Sequence, residues 1–351
     1  MVIFKGMKRF KRHRDYGFFD QDIRLSKLSQ LGDPLEKLNK GIDFELFRIC
    51  LVEKLSKQAQ GKGGRPSYDY VLMFKILILQ RYYNLSDDQA EYQINDRMSF
   101  MRFLDLTIAD DIPDSKTVWN FREQLIVGGA IEELFDLFIT ELEKLGLIIN
   151  QGKIVDASFI EVPKQRNSRD DNQQVKAGET PESFKEKPAR LSQKDLDARW
   201  TKKNGISYFG YKNHVKVDGK SKIITGYKVT DASVHDSQPI ESLLNEKDAG
   251  QELYADSAYT GVEQDKIIEG RKMINKTCEK GYRNKPLTDE QKESNRKKSS
   301  VRSRVEHIFG FMETSMDGMY LYNIGIKRIA AVVGLMNLTY NMFRKIQITT
   351  S

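Results

Sequence analysis

The chain has 351 residues, 39% of them hydrophobic, which suits about two domains with a sizeable core. Its 57 Lys and Arg against 50 Asp and Glu give a net charge of +7, a balance that favours a polyanionic partner such as nucleic acid. Two distant cysteines, Cys50 and Cys278, argue against zinc-finger and disulfide frameworks. No apolar run reaches the ~18–20 residues of a membrane span, since the longest, 71–79, is broken by Lys75. The basic N-terminus lacks a secretory apolar region, so the expected setting is reducing and cytoplasmic.

Residues 1–14 carry Lys5, Lys8, Arg9, Lys11, Arg12 and Arg14 and no acid; they read either as an arm for phosphates or as a solubilising tail. They open an N-terminal segment, 1–42. From 43 to 145 the pattern is helical: Phe44, Phe47, Leu51 and Leu55 recur at helical spacing. A glycine-rich, proline-ended loop follows at 61–66. Residues 70–83 predict a strongly apolar central helix. Ser86 is a good N-cap for 87–95, with Asp87 and Asp88 in the first turn. Asp114 caps a helix over 115–125 that carries Lys116, Trp119, Asn120 and Arg122. Such a series fits a helix-turn-helix-like DNA reader, and equally an ordinary helical bundle.

A second domain, 146–351, begins where the composition turns β-branched. Residues 147–162 predict strands with a turn at 150–152. Residues 163–205 are polar and read as a long surface insertion. A hairpin comes next. Phe209, Tyr211, Val215 and Val217 alternate with Lys212, His214 and Lys216, which puts the latter three on a charged face. Asp218 and Gly219 supply a two-residue turn, and Ile223, Tyr227 and Val229 continue the alternation. Then come a helix from Ser237 and Pro239 to about 245, a strand over 252–259, a helix near 262–269 and a short strand over 271–277. A basic stretch, 280–304, leads into helices over 299–313 and 326–346. Three antiparallel strands followed by alternating helices and strands describe a mixed α/β sheet in the order of the ribonuclease H-like fold.

Two carboxylates interrupt apolar strand sequences. Asp156 lies in Ile154-Val155-Asp156-Ala157-Ser158 and Asp256 in Leu253-Tyr254-Ala255-Asp256-Ser257-Ala258. A carboxylate in such a place is costly to ionise without a cation or several donors, and small neighbours leave room for ions. Mg²⁺ takes oxygen ligands and keeps waters, so a few carboxylates suffice. Glu306 is the third acid. It shares a predicted helix face with Arg302, four residues earlier, while His307 points elsewhere. Asp231 and Asp236 sit beside similar small residues and read as turn and cap residues. His214 and His235 have no nucleophile to serve, and no phosphate-binding GxxxxGK[ST] loop occurs.

Taken together, the motifs resemble bacterial insertion-sequence transposases of the DDE class, particularly the insertion-sequence-5 type. The resemblance rests on Gly64-Arg65-Pro66-Ser67-Tyr68, Leu85-Ser86-Asp87-Asp88-Gln89, Ile112-Pro113-Asp114-Ser115 and Phe121-Arg122. It continues through Val155-Asp156-Ala157-Ser158, Tyr211-Lys212-Asn213-His214, Tyr254-Ala255-Asp256-Ser257-Ala258-Tyr259 and Arg302-Ser303-Arg304-Val305-Glu306-His307-Ile308-Phe309, in that order. It implies that Asp156, Asp256 and Glu306 are a catalytic triad binding two Mg²⁺ or Mn²⁺ ions. Double-stranded DNA, as element ends and as target, is the implied partner, engaged by a homodimer or higher oligomer. Arg296, Lys297, Lys298, Arg302 and Arg304 would neutralise phosphates, and Lys116, Asn120 and Arg122 would recognise the ends. One departure stands out. Related insertion-sequence-4 transposases carry a Tyr and a Lys around the glutamate where this chain has Ser299 and Glu313, although Arg302 and Glu306 match. The rival expectations are a ribonuclease H-fold nuclease that cuts without joining and a non-catalytic, transposase-derived DNA-binding regulator.

Overall fold

A computed structural model describes residues 17–55, 67–203, 205–282 and 285–350. The basic arm of 1–14 and the loop at 61–66 lie outside the described residues. The N-terminal region is all helix, and it begins earlier than 43. Helices Asp20–Gln30 and Pro34–Gly41 precede the 3-10 turn Phe44–Phe47. Leu35 and Leu38 give Pro34–Gly41 a buried face, and it packs against Met98–Phe103. The apolar segment forms Tyr70–Tyr83. Asp69 caps it by accepting from the Val71 and Leu72 amides, and Asn84 ends it in the left-handed region. Val71 and every residue from 73 to 80 are buried, because helices Arg48–Leu55, Asp87–Asp96, Ser115–Val127 and Ile326–Thr350 surround it. Ser86 and Gln89 form a capping box, and Asp114 accepts from the Thr117 amide at 2.7 Å. The connection before Ser115–Val127, residues 104–114, is longer than the ~3–4-residue turn of helix-turn-helix readers.

The second region holds a six-stranded mixed sheet: β1 Lys153–Glu161, β2 Arg199–Lys203, β3 Ile206–Asp218, β4 Ile224–Asp231, β5 Glu252–Tyr254 and β6 Ile274–Asn275. The order runs β2-β3-β1-β5-β6, with β4 also paired to β3. β1 is antiparallel to β3 and parallel to β5, and β5 is parallel to β6. This is a ribonuclease H-like mixed sheet behind an all-helical N-terminal region. Gly210 marks the point where β3 passes from β2 to its other partners; a Cβ there would collide with the Ile160 carbonyl.

Several local expectations are corrected. Only 153–161 of the 147–162 stretch is strand. The polar insertion is not purely surface: it buries Val175 and Phe184 and ends in β2, a strand of the sheet. The hairpin turn is longer than two residues. Asp218 is fully buried, and its carboxylate accepts from the Ser221 amide and hydroxyl and from the Asn150 amide, which fixes a wider turn. Lys212, His214 and Lys216 are buried rather than on a charged face, because the sheet is covered on both sides. Residues 231–248 lie over that face. Lys216 meets Asp248 at 2.7 Å, Lys212 meets Asp236 at 2.7 Å, and the His214 Nε2 meets the Thr230 hydroxyl at 2.9 Å. Asp236 is therefore an ion-pair partner rather than a cap.

The other face is held by Ile326–Thr350, in which Asn337 and Asn341 are buried. Asn337 exchanges amide hydrogen bonds with Asn213. Asn341 accepts from the Ile224 amide at 2.9 Å and donates to its carbonyl at 2.8 Å, as a neighbouring strand would. The same helix packs against Tyr70–Tyr83 and Ala130–Lys144, so one apolar core runs from Leu35 to Ile346 across both regions. A smaller core under the opposite face joins Val155, Leu243, Leu253 and Ile268. Among the described residues no helix is long and apolar enough to cross a membrane.

Candidate active site

Along β1 the side chains alternate. Val155 points to the smaller core, while Ile154 and Ile160 point to the larger one. Asp156 lies on the larger-core side, opposite Val215 of β3. It is thus buried by its place in the pleat. Its Oδ1 accepts from the Ala157 amide at 2.8 Å. β5 runs beside β1 with Lys153 opposite Leu253 and Ile154 opposite Tyr254. Two residues on, the same register brings Asp156 level with Asp256. Asp256 is not inside a strand, as expected from its sequence. It follows β5 and caps the 3-10 turn Ser257–Tyr259, accepting from the Ala258 amide at 2.8 Å.

Glu306 arrives from a different kind of element. The basic segment forms a helix, Asp289–Arg302, that starts ten residues before the expected position of 299. A 3-10 turn, Ser303–Val305, then interrupts it before Glu306–Thr314 continues. Val305, Ile308 and Met312 anchor this segment in the core, while the Glu306 side chain is 60% exposed. Arg302 was expected to face Glu306, and does so only loosely, at 3.9 Å. Its close partner is Asp156, at 2.7 Å. The guanidinium therefore bridges from the buried carboxylate toward the exposed one.

Burial is the main reason the Asp156 carboxyl is pushed up to about 6, and the nearby Asp256 and Glu306 charges add to it; the Ala157 amide and Arg302 oppose the shift. Asp256 and Glu306 are thus each within electrostatic reach of Asp156. Among the described residues no three His, Cys, Asp or Glu side chains converge closely enough to hold a metal ion. The donor set nevertheless fits a hard divalent cation: three carboxylates, one buried and hard to ionise, and two buried hydroxyls, Ser158 and Tyr259, without hydrogen-bond partners.

Tyr259 escaped notice in the sequence. It is 1% exposed, and burial together with the Asp156, Asp236 and Asp256 charges raises its phenol well above the ordinary value. The signal was its place three residues after Asp256, where the 3-10 turn swings it back toward the acids. His214 is no base for this site: it lies on the opposite face of the sheet from Asp156, where its Nε2 meets the Thr230 hydroxyl, and burial lowers it to about 4.

The basic residues divide into free and engaged. Arg296 and Lys297 are exposed, each about 4.0 Å from Glu293. Lys298 donates to the Thr277 carbonyl at 3.0 Å, and Arg304 donates to the Gly219 carbonyl at 2.6 Å. On Ser115–Val127, Lys116 and Asn120 face solvent. Arg122 does not: it holds both Asp87 oxygens, at 2.7 and 2.8 Å. Asp231 binds the Ser233 amide and hydroxyl, as befits a turn residue.

The ribonuclease H-like sheet thus carries Asp156 on β1 and Asp256 just beyond the parallel β5, with Glu306 at the start of a later helix. Two family descriptions match the chain: a Transposase domain (DUF772) over residues 23–124 and a Transposase DDE domain over residues 150–342. The chain belongs to the DDE transposase family. Among solved structures it is similar to the piggyBac transposase synaptic complex with hairpin DNA, determined by cryo-electron microscopy. That match has 13% identity and a TM-score of 0.45, and covers 92% of this chain and 76% of the other.

Proposed function

We propose that the chain is the transposase of an insertion sequence of the insertion-sequence-5 type. It binds the terminal inverted repeats of its element, cuts there, and joins the freed 3′-ends to target DNA. The observation that carries this reading is that Asp256 follows directly on β5, whose parallel register with β1 pairs Tyr254 with Ile154, two residues before Asp156, while Arg302 reaches from Asp156 toward Glu306. These three acids would hold two Mg²⁺ or Mn²⁺ ions. When bound, such ions activate the attacking oxygen and stabilise the leaving one in an in-line displacement at phosphorus.

The chain's own residues supply the rest. Asp156 has to be ionised; burial pushes its carboxyl up to about 6, and Arg302 supports the charged form. Arg302 has to leave Asp156, and its fork of donors then suits a phosphate oxygen. The free Tyr259 hydroxyl can donate to a carboxylate and steady it. Arg296 and Lys297 neutralise backbone phosphates, and Lys116 and Asn120 meet the end DNA. In this reading Arg122, Lys298 and Arg304 brace their elements rather than touch bases. An element has two ends, so the active complex contains at least two copies of the chain.

The test is a labelled end duplex with Mg²⁺. Wild type should give a cut end and a joined product. Asp156→Asn, Asp256→Asn and Glu306→Gln should each lower both by at least ~10³-fold, because several kcal/mol of transition-state stabilisation are lost, while duplex binding survives. Full activity in excess chelator would refute the reading, and cutting without joining would reduce it to a nuclease.

A further inference from the structure

A cavity of about 270 Å³ lies where the helical region meets the sheet, lined among others by Arg81, Arg122, Asn84, Tyr320, Tyr322 and Asn323. Its charges do not cancel. Asp87, also in the wall, accepts from Gln80 at 2.7 Å, and Arg122 takes both of its oxygens. The hydrogen bonds and ion pairs of the described residues include none from the half-buried Arg81 guanidinium. Burial and the neighbouring Arg122 lower Arg81 to about 10, and Asp87 only partly offsets this. A half-buried cation without a protein acceptor, beside a second arginine and a single acid that this second arginine already holds, suits an anion. At the rim Tyr320 and Tyr322 stand edge to face, 5.2 Å apart, and Tyr322 is 77% exposed.

The place of the cavity points to its ligand. Tyr320 bridges to Glu161, the last residue of β1, and the flanking Met319 carbonyl and Leu321 amide bond Glu161 directly. Glu161 is five residues beyond Asp156 on the same strand, so the backbone at the Tyr320 rim of the cavity lies beside a point ~16 Å along β1 from Asp156, at ~3.3 Å per residue. DNA rises ~3.4 Å per nucleotide along one strand, so that distance spans about five nucleotides. The larger cavity of about 580 Å³ in the helical region is unsuited to phosphate. Asp43, Glu45, Asp69 and Asp105 line it, and its Lys75 is already bound to Asp105 and to the Phe103 carbonyl.

We propose that the Arg81 cavity is a phosphodiester clamp. Arg81 takes one backbone phosphate of duplex DNA about five nucleotides from the scissile phosphate, and Tyr322 packs on the adjoining sugar. The clamp rests on the reading of the chain as an end-cutting transposase.

The experiment uses the full-length chain on a labelled duplex, with binding followed against salt and with phosphate-ethylation interference. Arg81→Gln should weaken binding about tenfold at moderate salt and lower the log–log salt slope by about 0.9, the loss of one phosphate contact. It should also erase one ethylation signal about five nucleotides from the cut. Tyr322→Ala, which removes only an exposed ring and cannot disturb the core, should weaken binding a few-fold and leave the slope unchanged. Wild-type slope and ethylation pattern in Arg81→Gln, with unaltered affinity in Tyr322→Ala, would overturn the clamp alone. A wild-type chain with no salt-dependent duplex binding would overturn the transposase reading and the clamp with it.

Discussion

The candidate site is built from two unlike halves. Asp156 lies in β1, with hydrogen-bonded strands on both sides and cores above and below, and Asp256 follows directly on the neighbouring β5 and caps a 3-10 turn. Arg302 and Glu306 flank a 3-10 turn between two helices, the first mostly buried and the second exposed. The first half cannot shift without breaking a sheet. The second can change rotamers at small cost. On the proposed reading, the sheet would fix where chemistry occurs, and Arg302 at the helix junction would exchange Asp156 for a phosphate.

The rigid half depends on buried charge, and that dependence gives the largest expected effect. Lys216 and Asp248 are almost fully buried beneath β3, and burial lowers Lys216 despite its partner. Lys216→Ala strands Asp248 without a counter-charge and should cost about 3–5 kcal/mol in a denaturant melt. Lys216→Met combined with Asp248→Leu should cost far less. Equal losses would mean that the pair contributes volume, not charge.

Next in size is a pH effect at Asp156. Its folded-state value, about 6, is raised from 3.8, so the fold favours the protonated form. The resulting destabilisation is absent below the lower value, grows as pH rises between the two, and is complete above 6. In metal-free buffer Asp156→Asn should therefore gain up to about 3 kcal/mol relative to wild type between pH 4 and pH 7. A pH-independent difference would show that Arg302 already compensates the carboxylate fully.

The mobile half should give the smallest effect. Arg302 competes with any cation for Asp156. Arg302→Gln should bind Mn²⁺ about fivefold more tightly than wild type in calorimetry without DNA, roughly 1 kcal/mol. Unchanged or weaker binding would show that the ion pair does not guard the acid.

The same division explains what was legible in the sequence. Periodicity and capping residues exposed the apolar helix at 70–83, the caps at Ser86 and Asp114, and β1, β3 and β4, because each is a local pattern; β2 was hidden in a polar segment. Asp156 and Asp256 were legible as charges inside apolar runs, but the run around Asp256 concealed that the strand ends at Tyr254 and a 3-10 turn begins. The buried Lys212, His214 and Lys216 were not, since alternation signals a solvated face and carries no trace of the segment 231–248 that covers it. The 3-10 break at 303–305 was also hidden, because Val301, Val305 and Ile308 keep helical spacing through it. Arg302 accordingly seemed a partner for Glu306, when the partner it holds closely is a carboxylate 146 residues away in sequence. Arg122 shows the same limit: its position on the helix was legible, but its engagement by Asp87 was not.

Fe²⁺ can replace Mg²⁺ at oxygen sites and, with ascorbate and peroxide, cuts the polypeptide next to wherever it binds. Applied to the full-length chain on end DNA, such cleavage should produce three sets of fragments, ending near 156, 256 and 306. Excess Mg²⁺ should suppress them, and Asp156→Asn should abolish them. Cuts near 156 and 256 without any near 306, or cuts that ignore Mg²⁺ and Asp156→Asn, would contradict the assignment of Glu306 and the two aspartates to one metal centre.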